Sequence, residues 1–339
     1  MDPKFLSVHP EDIELNRLGT LSKDPFLFGI MPNIFRYRNN CRIIYAGAVP
    51  GPDGICIYNV SDAAMRKYIV DILSPDIRLF FDDSFEGILF YNILNKIHSI
   101  IGNFQDTGID GKQIYYVSGT ANAVDLYKKY CVDNSISNPI NIKIVNAWEY
   151  CINKGVIKNR FNIVKNKEKL FLCFNRILRP HRYALLGLLL DKQLVEKSYY
   201  SFFLSQYGDG ENSFEDASKI IDYYFSGEIK DKILNQVANI RNQLPLKINI
   251  DSAENNKNYL DGDDIKFFDN SYFSLVTETN YFSMGPRDTV FFSEKIFKPI
   301  KVHYPFILVS CAHSLKYLRK MGYKTFSPFI NDLMIILIL

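Results

Sequence analysis

The stretch FFSEKIFKPI, residues 291–300, places one carboxylate and two ammonium groups among aromatic and aliphatic residues. Serine is a preferred helix N-cap, so Ser293 predicts a helix that begins there and has one apolar face. Glu294, Lys295 and Lys298 would lie near the N-terminal end of that helix. There a carboxylate can bind the two vicinal hydroxyls of a ribose, and an ammonium group can bind phosphate. The alternative is an acid that complements the helix dipole beside surface lysines.

A second basic stretch, FNRILRPHR at residues 174–182, follows the apolar run LFLCF. Pro180 suits the first turn of a helix, so the stretch predicts a strand-to-helix junction. Its side chains that could bind a ligand are Asn175, Arg176, Arg179, His181 and Arg182. Because a helix N-terminus and guanidinium groups both favour anions, the junction suits a phosphate or a diphosphate. The alternative is a solvated basic face of the helix.

A third stretch, DIRLFFDDSFEGILF at residues 76–90, runs from an apolar strand directly into carboxylates. In an open α/β sheet, ligands bind beyond the carboxyl ends of the strands. Asp83 and Glu86 are therefore candidates for a general base, because crowded carboxylates raise one another's pKa toward neutral pH. The alternative is a capping cluster, with Asp83 or Ser84 at the N-cap of the next helix and Glu86 in its first turn.

The elements that must position these stretches alternate between strand-like and helix-like patterns. Residues 41–150 show short β-rich runs followed by helical segments, and the pattern resumes at residue 169 after a polar, lysine-rich segment. Such alternation is typical of mostly parallel sheets covered by helices. We therefore predict an α/β fold with two Rossmann-type domains, residues 1–158 and 159–339, and a cleft between them. Residues 205–264 are interpreted as a looser polar region.

Composition argues against several classes of protein. The 339 residues carry 40 Lys and Arg against 37 Asp and Glu, a balance unlike that of a general nucleic-acid binder. The six cysteines show neither a CxxC pair nor zinc-like spacing, which predicts reduced thiols and no metal site. The N-terminus lacks the pattern of a secretory signal, and no apolar run reaches the ~20 residues that cross a bilayer. We expect a cytoplasmic protein without a transmembrane segment.

The segment YFSLVTETNYFSMGPRDTVFFSEKIFKPIKVHYPFILVSCAHSLKYLRKMGYKTF, residues 272–326, resembles the donor-binding region of inverting GT-B glycosyltransferases. It is most similar to the α1,3-fucosyltransferase-like group of bacterial, phage and large-virus proteins. In that group a strand that ends in an acidic residue precedes an aromatic residue and a Ser/Thr-Glu-Lys helix start. The matching residues here are Glu278, Phe291, Phe292, Ser293, Glu294 and Lys295. The upstream LFLCFNRILRPHRYALLGLL resembles the group's first donor-domain strand and helix, so that the resemblance covers about residues 169–330.

The resemblance implies an enzyme that moves a sugar from a nucleotide diphosphate to a glycan hydroxyl, with inversion. Fucose from GDP-fucose is the donor that it favours. Enzymes of this group use side-chain cations and a helix N-terminus to stabilise the departing nucleotide, so no metal or other cofactor is implied. The N-terminal domain would bind the acceptor and supply the general base, which is Glu86 or Asp83.

The same resemblance implies a donor site in the C-terminal domain. Its residues are Arg179, Arg182, Glu278, Ser293, Glu294, Lys295 and Lys298. Glu294 would bind the ribose hydroxyls, while Lys295 and Arg182 would neutralise the diphosphate. Arg179 is the second choice for the arginine, and Lys298 would assist.

The chain departs from the family pattern after FSPFIND, where further helices normally follow. It ends in LMIILIL, so we expect a shortened donor domain and self-association through this apolar tail. Two other classes stay open: a non-catalytic nucleotide-sugar or glycan-binding protein with the same fold, and a structural or assembly protein. An enzyme needs both the Glu294-Lys295 pair and a base in the first domain. A binding protein needs only the pair, and a structural protein should bind no nucleotide.

Overall fold

The computed structural model of the chain describes residues 4–6, 41–45, 61–84, 90–101, 110–154, 166–175, 179–202, 214–243, 246, 262–281 and 289–326. The chain divides into two compact units. Unit 1 consists of Met1–Cys151 and Ser283–Phe292, and unit 2 of Ile152–Phe282 and Ser293–Leu339. The domain boundary expected at residue 158 falls between residues 155 and 165, outside the described residues.

Unit 1 contains a sheet of five parallel strands in the order β1-β2-β3-β4-β5. The strands are β1 (Lys4–Leu6), β2 (Cys41–Tyr45), β3 (Arg78–Asp83), β4 (Ile114–Ser118) and β5 (Asn141–Ile144). The described helices are α1 (Asp62–Ile72), α2 (Phe90–Ile101), α3 (Ala123–Asp133) and α4 (Ala147–Lys154). The division between the two units falls within α4, after Cys151. Because the strands are parallel, their carboxyl ends meet along one edge of the sheet.

The core of unit 1 forms where β3 packs against α2. The side chains of Leu79 and Phe81 alternate with those of their neighbours along the strand and lie in the core cluster. Helix α2 contributes Ile93, Ile97 and Ile101 to the same cluster, at the four-residue spacing of one helix face. After the half-buried Arg78, every residue of the run RLFFDD is buried, and both aspartates at its end lie in the interior.

Unit 2 contains four parallel strands in the order β7-β6-β8-β9. They are β6 (Lys169–Asn175), β7 (Ser198–Phe202), β8 (Ser271–Thr277) and β9 (Phe306–Val309). The described helices are α5 (Pro180–Asp191), α6 (Phe214–Tyr224), α7 (Gly227–Ile240), α8 (Gly262–Asp269), α9 (Glu294–Lys301) and α10 (Ser314–Lys320). Strands β6 and β8 are central, so the helices that follow them start at the middle of the carboxyl edge.

Helices α5 and α7 approach each other closely at Gly187. A Cβ atom at this position would lie 2.8 Å from both the Cα and the carbonyl oxygen of Ile233. Since both contacts are to backbone, no side-chain movement would relieve them, and only glycine permits this helix packing.

The crossover segment, Thr289–Phe292, belongs to unit 1 although the residues before Ser283 and after Phe292 belong to unit 2. Its Val290 accepts a hydrogen bond from the Ala121 amide at 2.7 Å and donates one to Asn122 Oδ1 at 2.9 Å. Asn146 Nδ2 donates to the Phe292 carbonyl at 2.7 Å. Residues from three distant parts of the sequence thus form one hydrogen-bonded group in unit 1.

The α/β class with parallel sheets, predicted from the sequence, is confirmed, and these sheets are compatible with Rossmann-like domains. The interpretation of residues 205–264 as a looser polar region was wrong, because α6, α7 and the start of α8 lie there. Helix α7 buries few side chains, among them Ile233 and Val237, so its polar residues dominate the sequence pattern. Residues 54–60, GICIYNV, which form one of the β-rich runs in the predicted pattern of residues 41–150, lie outside the described residues, as does the tail LMIILIL.

Two further predictions concern membranes and thiols. Among the described helices, none combines the length and the apolar character that crossing a bilayer requires. Cys131, Cys173 and Cys311 carry thiols and are not joined in disulfides. Burial raises the pKa of the Cys173 thiol to about 12, so this side chain behaves as a core residue.

Candidate functional site

The candidate site of unit 2 lies where β6 and β8 end and where α5 and α9 begin. The ends of the two strands are joined by a hydrogen bond from Thr277 Oγ1 to Asn175 Oδ1. As predicted, Pro180 is the first residue of α5 and Ser293 is the N-cap of α9. Two helix N-termini therefore lie near the carboxyl edge of one parallel sheet, the usual position of ligand sites in this fold class.

Arg182 lies in the protein interior and is 2% exposed. Its Nη2 donates to the carbonyl oxygens of Thr277 and Glu278, at 3.2 and 3.4 Å. Burial, together with repulsion from Arg179, lowers its pKa to about 10, which still leaves the guanidinium charged at neutral pH. The predicted contact between Arg182 and a diphosphate stays a prediction, and Arg179, which is half-buried at the N-cap of α5, is the more accessible arginine.

His181 is buried and uncharged. Burial and the neighbouring Arg182 charge lower its pKa well below the usual range. Its Nε2 lies 2.8 Å from the Glu278 carbonyl, which can only accept, so Nε2 carries the hydrogen. The ring stacks on Tyr281 with centroids 5.3 Å apart. His181 therefore connects the first turn of α5 to the end of β8 and does not act as a charged group.

Glu278 is fully buried, directly after β8. Its carboxylate accepts hydrogen bonds from the Ser293 amide at 3.2 Å, the Ser293 hydroxyl at 2.6 Å and the Thr279 amide at 3.1 Å. Burial raises its pKa, while Lys295 and the Ser293 donors act in the opposite direction. All the hydrogen bonds described for this carboxyl group are donated to it, the arrangement that suits the ionised form.

Ser293 joins this carboxylate to the first turn of α9. Its Oγ accepts hydrogen bonds from the Lys295 amide at 3.4 Å and from Lys295 Nζ at 3.2 Å, and its own hydrogen points to Glu278. Lys295 Nζ also lies 2.7 Å from Glu294 Oε1. The side chains of Lys295 and Glu294 are 23% and 17% exposed, so both reach the protein surface.

Glu294 is ionised despite its partial burial. Burial alone would raise its pKa, but the attraction of Lys295, the hydrogen bond with Lys295 and the charge of Lys298 outweigh it, and the pKa is lowered. A carboxylate with a low pKa and some exposure can accept hydrogen bonds from ligand hydroxyls at neutral pH.

The charged groups of this site influence one another, which shows that they lie together. Arg182 interacts with Arg179, Glu278 and Glu294, and Glu294 interacts with Lys295 and Lys298. Among the described residues, the group comprises four basic side chains, Arg179, Arg182, Lys295 and Lys298, and two acidic ones, Glu278 and Glu294. The basic side chains exceed the acidic ones by two, which matches the charge of a dianionic ligand.

The structure adds residues to this site that the sequence analysis did not select for the donor site. Thr277 and Asn175 form the bond between strand ends, and Asn280 lies two residues beyond Glu278. The carbonyl of Asn280 accepts from the Cys311 amide at 3.1 Å, while its buried Nδ2 has no hydrogen-bond partner in the described part of the chain. Position at a strand end was the signal that could have found them. Arg176, which the sequence analysis named, lies outside the described residues.

The predicted base residues belong to unit 1. Glu86 lies outside the described residues. Asp83 is buried, and its Oδ2 accepts a hydrogen bond from the Tyr116 hydroxyl at 2.8 Å. The neighbouring Asp82 is not among the predicted bases. Its Oδ1 accepts from the Ser84 amide at 3.0 Å, and burial raises its pKa to about 6.

Within the described ranges, no three His, Cys, Asp or Glu side chains lie close enough together to hold a metal ion. Comparison of the chain with protein-family models, with curated proteins and with solved structures gives no match. The function proposed below therefore rests on the residues of the site and on the sequence resemblance described above.

Proposed function

We propose that this protein is a GT-B glycosyltransferase that moves a sugar from a nucleotide diphosphate to a glycan hydroxyl. Fucose from GDP-fucose is the donor that we propose, with inversion at the anomeric carbon and without a metal. The observation that carries this proposal is the excess of two basic over acidic side chains among the described residues at the carboxyl edge of unit 2. A nucleoside diphosphate leaving group needs such an excess, because negative charge develops on it as the sugar bond breaks.

In this proposal, different side chains of the donor site bind different parts of the nucleotide. Glu294 accepts hydrogen bonds from the two ribose hydroxyls, and Lys295 binds the diphosphate. Lys298 and Arg179 add positive charge near the surface, whereas Arg182 contributes its charge from the interior. The N-terminus of α9 supports the same phosphate oxygens through its partial positive charge.

The acceptor binds to unit 1 in this proposal, and a carboxylate there acts as general base. The base takes the proton from the acceptor hydroxyl, whose oxygen forms a bond to the anomeric carbon. The bond from that carbon to the diphosphate oxygen breaks, and the nucleoside diphosphate leaves with the electron pair. Glu86 and Asp83 are the proposed bases. We propose a cytoplasmic setting, for which the scattered spacing of the six cysteines in the sequence is the support.

A non-catalytic nucleotide-sugar binding protein is the alternative. It is favoured by the burial of Asp83, whose carboxylate is engaged by the Tyr116 hydroxyl. A base must come within hydrogen-bond distance of the acceptor hydroxyl, and a buried carboxylate does so only after a movement.

Thermal unfolding with GDP, UDP, CMP, dTDP and ADP tests the donor site. A ligand at 100 times its dissociation constant stabilises the folded state by about 2.7 kcal/mol, which raises the melting temperature by roughly 5 °C. We expect this shift with GDP, and we expect Glu294→Ala and Lys295→Ala to abolish it. Lys301→Ala, at the other end of α9, is the matched control and should retain the shift. Well-folded protein that responds to none of the nucleotides would refute the proposal.

Transfer separates the enzyme from the binding protein. With GDP-fucose and glycan acceptors, we expect Glu86→Gln or Asp83→Asn to lower the release of GDP by at least about 100-fold, the range of general-base catalysis. Nucleotide affinity should be unchanged in both variants. Wild-type protein that binds GDP-fucose and transfers nothing to any acceptor would favour the binding protein.

A further inference from the structure

Glu278 combines complete burial with an unusual number of polar contacts. Its carboxylate is 0% exposed and accepts all its described hydrogen bonds from Ser293 and Thr279. A nucleotide that lies on the surface of unit 2 would meet Glu294 and Lys295 before it could reach this group. The sequence resemblance includes Glu278 in the donor site, but its position leaves it no surface with which to contact a ligand.

The backbone of Glu278 is bonded to two other elements of the site. Its amide donates to the Val309 carbonyl at the end of β9, at 2.9 Å. Its carbonyl accepts from His181 Nε2 at 2.8 Å and from Arg182 Nη2 at 3.4 Å, both in the first turn of α5. This one residue therefore contacts the end of β9, the start of α5 and, through its side chain, the start of α9.

The hydrogen bonds at Ser293 run in one direction. Lys295 Nζ donates to Ser293 Oγ, and Ser293 Oγ donates to Glu278 Oε2. The direction follows from the chemistry, since an ammonium group can only donate and an ionised carboxylate can only accept. An ionised Glu278 accepts the hydrogen of the Ser293 hydroxyl, so the lone pairs of Ser293 Oγ are left for Lys295. The bond to Ser293 Oγ then fixes the position of the Lys295 ammonium group.

We propose that Glu278 is a positioning residue: a buried carboxylate that orients Ser293 and so presents Lys295 and the first turn of α9 to an anionic ligand. Its role in ligand binding rests on the function proposed above, whereas its effect on Ser293 and Lys295 does not. Glu278 acts through Ser293 and does not touch the ligand.

The substitution Glu278→Gln tests the charge with little change of volume. The amide offers one acceptor and one donor group where the carboxylate offered two acceptors. The Ser293 amide donates to both carboxylate oxygens at 3.2 Å, so it then faces a donor group at one of the two positions. If the new N–H group lies at the position of Oε2, the Ser293 hydroxyl loses its acceptor, and this N–H group competes with Lys295 for the lone pairs of Ser293 Oγ. We expect the first turn of α9 to loosen in this variant.

Two further variants separate positioning from general stability. Ser293→Ala removes the hydroxyl between Glu278 and Lys295, and Ser293→Thr restores it. Ser271→Ala is the matched control, because Ser271 is equally buried at the opposite end of β8 and its hydroxyl bonds to Phe267 and Tyr304. The control should lower the melting temperature without affecting α9.

The experiment combines amide hydrogen exchange without ligand and titration with GDP. In Glu278→Gln we expect the Ser293 and Lys295 amides to exchange at least about 10-fold faster, with no change in Ser271→Ala. GDP affinity should fall at least about 10-fold in Glu278→Gln and Ser293→Ala, and recover in Ser293→Thr. Unchanged exchange in Glu278→Gln would overturn the positioning role. If exchange changes as expected but wild type binds no nucleotide, the positioning role stands and the proposed function fails.

Discussion

Arg179 and Arg182 lie three positions apart at the start of α5, yet their surroundings differ. Arg182 is buried against the carbonyls of Thr277 and Glu278, whereas Arg179 is half-buried at the N-cap. A buried cation is held by specific partners, and its removal leaves their polar atoms unsatisfied. A partly exposed cation keeps contact with solvent, the side from which a ligand can approach. The two arginines should therefore respond differently to substitution.

We predict that Arg182→Leu lowers the free energy of unfolding by about 3 kcal/mol or more, the range for breaking a buried charged interaction. Arg179→Ala should change it by less than about 1 kcal/mol and should weaken GDP binding instead. Urea unfolding of both variants, together with GDP titration of Arg179→Ala, checks this division. Equal losses of stability would contradict it.

Asp82 and His98 should act on stability in opposite directions between pH 4 and 6.5. The folded-state pKa of Asp82 is raised to about 6, so its contribution to stability is present at low pH and is lost as the pH rises. Burial lowers the pKa of His98 to about 4, so its contribution is present above 6.5 and is lost as the pH falls. In the wild type, the pH dependences that Asp82 and His98 give to the free energy of unfolding partly cancel.

Substituting one residue at a time should reveal how each contributes to the pH dependence of the free energy of unfolding. Between pH 4 and pH 8, the free energy of unfolding of Asp82→Asn is expected to rise by about 3 kcal/mol relative to that of the wild type. This is the free-energy equivalent of the pKa shift of Asp82. His98→Gln should show the opposite trend across pH 4 to 6.5. Urea unfolding at four or five pH values measures both. An Asp82→Asn curve parallel to that of wild type would show that Asp82 does not titrate as described.

At the scale of elements, the junctions that the sequence predicted are those with strong local signals. Proline at a helix start and serine at an N-cap satisfy backbone requirements of their own residues, and both Pro180 and Ser293 take these positions. The burial of Arg182 depends instead on which other elements of unit 2 pack against each side of α5. The sequence predicted an amphipathic helix after Pro180, and that pattern could not show that Arg182 would be buried or which carbonyls the first turn would meet.

Gly187 shows how much one contact between elements can matter. Alanine is the better helix former by about 1 kcal/mol, so helix propensity alone predicts that Gly187→Ala stabilises α5. A Cβ there would nevertheless lie 2.8 Å from the backbone of Ile233 in α7, and separating the helices costs about 1–3 kcal/mol. We expect a net loss, measured as a lower melting temperature. A rise in melting temperature would show that α5 and α7 can separate without cost.

At the scale of the whole molecule, the sequence predicted two successive α/β domains, but it could not predict the crossover segment. Asn122 and Val290 are 168 positions apart and form a buried hydrogen bond within unit 1. No local preference of Thr289–Phe292 indicates that contact, because its two partners are far apart in the sequence. Unit 1 is consequently built from two separate segments of the chain, and its integrity depends on contacts between them.

We predict that Asn122→Ala loosens the crossover segment, because the buried Val290 amide then loses its acceptor, at a cost of about 1–3 kcal/mol. The Val290 amide should exchange its hydrogen roughly 10- to 100-fold faster, since each 1.4 kcal/mol corresponds to a factor of ten. Asn122→Asp is the matched control, because aspartate keeps an oxygen at the Oδ1 position and should preserve most of the protection. Residue-specific hydrogen exchange distinguishes the outcomes. Equal protection in wild type and Asn122→Ala would mean that the Ala121 and Asn146 contacts hold the segment without Asn122.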